Sequence, residues 1–314
     1  MVCAQANRHR IHSRNPFVKP DGVLLSTPTF YHDLVLMSRF ANLLGRKRES
    51  QKYHVLAAQV KQAFNKRFLN TATWKYGAGT EASSILALGC GIAPAQDRRA
   101  IDAQLAHTIG SISAGHAWVG AVGVQWLMRA LSDYGQGRLA WGIAGQTGYP
   151  SWGYMLKHGA TTIWELWDGN TANPAMNSQD HVMLVGDFVI WLYQYVAGIA
   201  PDPAEPGYRH IVMDPHPLAG LHFVNCSLRS PYGLIRSDWH LRGNSFVWQV
   251  RVPCNTTATL DVPAIAVRQV RINGRPVAEA LGVKLLRMAG SRAVLRVESG
   301  AFEISSTVSK RYEN

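Results

Sequence analysis

The densest run of side chains able to do chemistry lies at residues 148–181, GYPSWGYMLKHGATTIWELWDGNTANPAMNSQDH. Glu165 stands between Trp164 and Trp167, with Asp168 following, Trp152 upstream and His181 downstream. A carboxylate among aromatic rings is partly desolvated, which raises its pKa and suits it to general acid or base work. Indole faces also offer apolar surface to a pyranose ring, so the chemistry implied is proton transfer beside a bound sugar. Read as residues alone, the segment also fits an aromatic-rich turn. Glu165 would then be a cap or an ion-pair partner, and His181 a helix-start histidine bonded to backbone.

The rest of the chain bounds what can surround this segment. Of 314 residues, 47% are hydrophobic and 17% charged, enough apolar material for a sizeable core. No apolar run approaches the roughly 18 residues of a membrane-spanning helix, so no membrane partner is expected. Lys and Arg exceed Asp and Glu by 32 − 20 = 12. The excess is dispersed, however, apart from Arg46-Lys47-Arg48 and the first fourteen residues. No basic helical face with interleaved aromatics occurs, so a basic solvated surface is expected rather than nucleic-acid binding. Cys3, Cys90, Cys226 and Cys254 show no CxxC and no Cys/His metal spacing. Neither a metal site nor a disulfide framework is expected, and no cofactor. The opening MVCAQANRHRIHSRNP has no apolar stretch of a secretory signal, which predicts a cytoplasmic location.

The elements that must position Glu165 change character near residue 200. Before it the apolar period is helical. Leu34, Met37, Phe40, Ala41 and Leu44 form one stripe, and Val55, Leu56, Ala58, Val60, Ala63, Phe64 and Phe68 another. Further helices are expected at about 79–92, 95–109, 117–133, 135–146 and 180–197. After Gly198 the Pro-rich IAPDPAEPGY leads into short alternating segments: RHIVMD, LHFVNCSLR, YGLIRSDWH, SFVWQVRV, TATLDV, RQVRING and AVLRVES. Turn signals such as Ser230-Pro231-Tyr232-Gly233, Arg242-Gly243-Asn244 and Asn273-Gly274 separate them. Helical hairpins followed by an antiparallel β-sandwich are expected. The boundaries are a poorly structured segment at 1–25, helices over 26–200 and the sandwich over 206–308.

Taken together, GYPSWGYMLKHGATTIWELWDG, MNSQDH, VGDFVIWLYQYVAGIAPDPAEPGYRHIVMDPHP and SLRSPYGLIRSDW resemble the bacterial α-L-rhamnosidase family of glycoside hydrolases. The likeness runs in order from about residue 26 to about 262. It implies a fold class of α then β: part of an (α/α)6 toroid of helical hairpins followed by an antiparallel β-sandwich. It implies an inverting glycosidase whose partner is a carbohydrate with terminal L-rhamnose. Glu165 falls on the family's general base and His181 on a histidine contacting the sugar. Trp164 and Trp167 flank the base, Trp152, Tyr149 and His116 line the same region, and Asp168 is an orienting neighbour or a helix cap.

An inverting glycosidase needs two carboxyl groups about 6.5–9.5 Å apart, one protonating the leaving oxygen and one activating water. The acid segment of the family, of the type D-x-P-x-R-E-x-x-G-W-x-G-D, has no counterpart here. Glu81, in GAGTEASS, reads as a cap or a sugar contact rather than a replacement acid. About seven helices cannot close a twelve-helix toroid, which implies a truncated chain that self-associates through an open barrel edge. Two other readings stand beside the rhamnosidase: a non-catalytic remnant or sugar-binding module, and another six-hairpin glycosidase.

Overall fold

The computed structural model describes residues 21–171 and 178–309. The chain divides between Asp187 and Phe188 into a helical unit and a β-rich unit. The expected disordered segment at 1–25 lies largely outside the described residues, and its last four residues already belong to the first helix.

The helical unit opens with α1 (Gly22–Leu43) and α2 (Lys47–Phe68), joined by a three-residue turn. Asp21 caps α1 by accepting the Val23 N–H at 2.8 Å. Ser38 and Ser50 stitch the hairpin reciprocally, each hydroxyl donating 2.9 Å to the other's carbonyl oxygen. A small two-stranded ribbon follows, β1 (Leu69–Asn70) against β2 (Lys75–Tyr76). Next come α3 (Glu81–Gly89) and α4 (Arg98–His107), the latter running into a π-helical turn to Ile112. The expected helix at 117–133 is broken into α5 (Ala121–Val124) and α6 (Leu127–Ser132). The unit is completed by α7 (Gly137–Ala144) and α8 (Trp152–Lys157).

Burial ranks these helices. In α3, EASSILALG, every residue from Ser83 to Leu88 is buried, the two serines included, so the helix is covered on all sides. It packs against α1, α4, α5 and α6 and forms the centre of the unit. The stripe expected on α1 divides: Leu34 and Ala41 are buried, whereas Met37, Phe40 and Leu44 are exposed. On α2 only Phe64 of the expected stripe is buried, and Val55 and Leu56 are exposed. Each helix carries more apolar surface than its described neighbours cover.

The β unit starts with α9 (Phe188–Trp191) and a π-helical turn to Val196, so the helix expected at 180–197 is not continuous. One sheet contains β5 (Phe223–Ser230), β6 (Gly233–Arg242), β7 (Ser245–Val252), β9 (Arg271–Ile272), β10 (Arg275–Pro276) and β13 (Gly300–Thr307), in the order β10-β9-β13-β7-β6-β5. The other contains β3 (Ile199–Pro201), β4 (His210–Met213), β8 (Thr257–Pro263), β11 (Val283–Met288) and β12 (Arg292–Val297), in the order β11-β12-β8-β4-β3. Phe246, Trp248 and Val250 of β7 alternate inward, as do Ala258, Leu260 and Val262 of β8. Pairing is antiparallel except between β4 and β8, which run parallel, so a purely antiparallel sandwich is corrected on this point. The Asn273-Gly274 signal forms the β9–β10 hairpin, with both residues at positive φ as a two-residue turn requires.

Candidate active site

The segment Ile163–Glu165 pairs antiparallel with Ser178–His181. The Glu165 N–H donates to the Ser178 carbonyl at 3.2 Å and the His181 N–H to that of Ile163 at 2.6 Å. The Thr162 hydroxyl donates to Gln179 O at 2.6 Å. Glu165 Oε2 accepts the Ser178 N–H at 3.2 Å. Two residues sixteen positions apart in sequence are thereby placed on facing, paired segments.

The arms are anchored by tryptophans. Trp164 is 4% exposed and lies against Gly169, where a Cβ would come within 2.7 Å of the indole. Trp167 is 6% exposed and donates its indole N–H to Val119 O at 2.8 Å. Trp152, 8% exposed, meets Trp167 edge-to-face at 5.7 Å and donates to Leu184 O at 2.8 Å. All three are expected from the sequence to bind substrate; in the structure they are buried, and the indole N–H groups of Trp152 and Trp167 donate to backbone carbonyls.

His181 precedes a short 3₁₀ turn, Val182–Val185. Among the described residues its Nδ1 is buried with no hydrogen-bond partner. A buried polar atom left this way costs free energy unless something supplies a bond. The segment after it is locked by Gly186 and Asp187. Gly186 sits at φ +61° with no room for a Cβ, and the Asp187 carboxylate caps α6 by accepting the Met128 and Arg129 N–H groups at 3.0 and 2.9 Å.

Asp168 begins a turn closed by Thr171, whose N–H and hydroxyl both reach Asp168 O. No helix starts there, so of its two expected roles the helix cap drops out. Tyr149 lies close enough to feel its charge: burial pushes the phenol pKa up, and Asp168 adds to the effect. Tyr149 also meets Trp118 and Tyr154 edge-to-face at 5.7 and 5.3 Å. His116 approaches Pro150 O through Nδ1 at 3.2 Å. Trp118 and Tyr154 were not singled out from the sequence. The alternation of glycine and aromatic residues in SAGHAWVGAVG was the available signal.

Glu81 is neither the cap nor the sugar contact expected of it. Thr80 occupies the N-cap of α3, and Glu81, 6% exposed, turns both carboxylate oxygens to a neighbouring loop. Oε1 accepts the Ser113 hydroxyl at 2.5 Å and Oε2 the Trp118 N–H at 2.7 Å. Among the described residues no group of three His, Cys, Asp or Glu is arranged to hold a metal ion. A cavity of about 580 Å³ in the β unit, lined by Arg268, Arg271, Val277 and Lys284 among others, contains no carboxylate or imidazole to move a proton.

The sequence profile of the bacterial alpha-L-rhamnosidase 6 hairpin glycosidase domain matches residues 6–196, more than half of the chain. The chain belongs to this family. The C-terminal domain of bacterial alpha-L-rhamnosidase matches residues 198–275. An alpha-L-rhamnosidase of Formosa agariphila is 29% identical over 291 residues, covering 91% of this chain and 31% of the relative. Among solved structures, the Streptomyces avermitilis alpha-L-rhamnosidase complexed with L-rhamnose superposes with a TM-score of 0.82 at 28% identity, over 90% of this chain and 27% of that one. The alpha-L-rhamnosidase from Dictyoglumus thermophilum superposes with a TM-score of 0.83 at 30% identity, over 94% of this chain and 33% of that one. The chain therefore spans about a third of the length of these rhamnosidases, and within that span it has their order of helical hairpins followed by antiparallel-rich sheets.

Proposed function

We propose that this chain carries the general-base side of an inverting α-L-rhamnosidase active site, acting on carbohydrates with terminal α-L-rhamnose. The observation that carries the reading is the pairing of the Glu165 and His181 arms, beside a buried His181 nitrogen that has no partner among the described residues. Glu165 takes a proton from a water as that water attacks the anomeric carbon on the face opposite the leaving group. His181 holds sugar hydroxyls, with Asp168, Tyr149 and His116 along the same loops. Trp164 and Trp167 exclude water from behind the carboxylate rather than stacking on the sugar. The carboxyl that protonates the leaving oxygen comes from outside the residues that match here.

The test combines binding and turnover. L-Rhamnose is titrated into the chain by calorimetry, and His181→Ala is expected to weaken binding by about tenfold, the loss of one or two polar contacts. Hydrolysis of p-nitrophenyl α-L-rhamnoside is then followed after complementing the chain with the part of a relative that it does not span. Glu165→Gln should lower kcat by about 10²–10⁴-fold. Azide, which needs no general base, should restore turnover in that variant. An unaffected Glu165→Gln enzyme would place the base elsewhere.

A further inference from the structure

We infer that Glu81 is a positioning residue for Glu165, acting through the Ser113–Gly120 loop and the Trp167 indole. The loop from Ser113 to Gly120 has no helix or strand of its own. Its start is tied by backbone, with the Gly115 N–H donating to Ile109 O at 2.8 Å, and side chains that grip it add to its position. Glu81 grips it twice, at the Ser113 hydroxyl and at the Trp118 N–H. The residue after Trp118 is Val119, wholly buried, and its carbonyl oxygen is the acceptor for Trp167 Nε1. Trp167 is two residues from Glu165 in a tight turn and packs on Trp152, whose own indole N–H ends on Leu184 O, three residues past His181. One buried carboxylate on α3 thus fixes the acceptor on which both arms of the site hang.

The alternatives for Glu81 do not account for its surroundings. A helix cap is supplied by Thr80. A sugar contact would need an oxygen facing open space, and Glu81 is 6% exposed with both oxygens turned to the loop. Burial raises its pKa while the Ser113 and Trp118 donors oppose the rise, as for a carboxylate retained for its acceptors. Glutamine would keep both links, its carbonyl accepting from Trp118 N–H and its amide donating to the Ser113 oxygen. Leucine would remove both links from the loop to α3.

The inference depends on the proposed base only for its effect on sugar, and two readouts on the full chain separate the questions. In nitrogen-15 spectra the hydrogen exchange of the Trp167 indole proton should quicken by about tenfold or more in Glu81→Leu and stay within about twofold in Glu81→Gln. The Trp239 and Trp248 indoles of the β unit serve as controls and should not change. Calorimetric affinity for L-rhamnose should fall in Glu81→Leu and recover in Glu81→Gln. If the parent chain binds no L-rhamnose, the reading of the site fails, and the exchange data still judge the relay. If Glu81→Leu does not fold, Ser113→Ala, which removes one of the two links, should give an intermediate exchange rate. An unchanged Trp167 rate in Glu81→Leu, or in Ser113→Ala if that is the variant measured, overturns the relay.

Discussion

Replacing Asp187 by alanine should cost the helical unit about 3–5 kcal/mol, the range for breaking a buried charged network. The side chain is 1% exposed and accepts three hydrogen bonds: Met128 N–H at 3.0 Å, Arg129 N–H at 2.9 Å and Arg129 Nε at 3.3 Å. The two N–H groups belong to the first turn of α6, whose N-cap residue, Trp126, makes no capping bond of its own. Met128 is fully buried, so water cannot replace the carboxylate there, and each orphaned buried N–H costs about 1–3 kcal/mol. The Arg129 guanidinium is about one-third exposed and recovers part of its loss by hydration. Asp187→Asn keeps one good acceptor and should cost roughly half as much as alanine. Urea unfolding followed by far-ultraviolet circular dichroism reads the effect as a lower midpoint at unchanged slope. The two structural units call for a fit that allows two transitions. A loss below about 1 kcal/mol for Asp187→Ala would show that the long-range cap is not what holds α6.

Three further outcomes follow from closely packed positions. Gly186→Ala puts a Cβ 2.2 Å from Val124 O at a φ of +61°, and should abolish folding or cost more than about 3 kcal/mol in the same unfolding assay. Asp102 is buried with one carboxylate oxygen unbonded, and burial raises its pKa to about 6 against the opposing bond from Gln136. With the folded pKa above the unfolded one, its stabilising contribution is full below pH about 4 and is lost as pH rises through about 6. Asp102→Asn should therefore gain on the parent chain by about 2 kcal/mol between pH 4.5 and pH 7.5 in paired denaturation curves. In the β unit, Ser237 accepts the Trp248 indole N–H at 2.8 Å and donates to Ala197 O at 2.6 Å. Ser237→Ala leaves that indole unpaired in the core and should lower stability by about 1–3 kcal/mol, read by guanidinium unfolding with tryptophan fluorescence.

Turn chemistry and short-range periodicity are legible in the amino-acid sequence itself. The Asn273-Gly274 hairpin, the helix expected at about 79–92 that contains α3, and the switch from helical to alternating pattern near Gly198 are properties of windows of a few residues. Strands β11 and β13 are not legible in this way. In VKLLRM the apolar residues do not alternate cleanly, because the pairing with β12 is irregular between Leu285 and Arg287. In GAFEISST the inward positions include Ser306, which satisfies its hydroxyl on Pro263 O inside the core. The parallel β4–β8 pair is equally out of reach, since strand direction depends on which strands meet and not on their own composition.

Glu165 and His181 stand out in the amino-acid sequence by residue type and by the motif around them, and their segments pair in the structure. Tertiary structure decided what their neighbours are for. An indole reads the same in sequence whatever its N–H will meet, and only the approach of Val119 and Leu184 gives the Trp167 and Trp152 N–H groups their acceptors. Glu81 and Asp187 carry no local mark of their roles, because the groups they hold are 32 to 59 residues away. Which face of α1 is buried was likewise a matter of partners, since Leu34 and Met37 are alike in apolarity and differ in what lies opposite. Propensity and turn type are set within a few residues of chain, whereas burial and hydrogen-bond satisfaction are set by whatever the folded chain brings alongside.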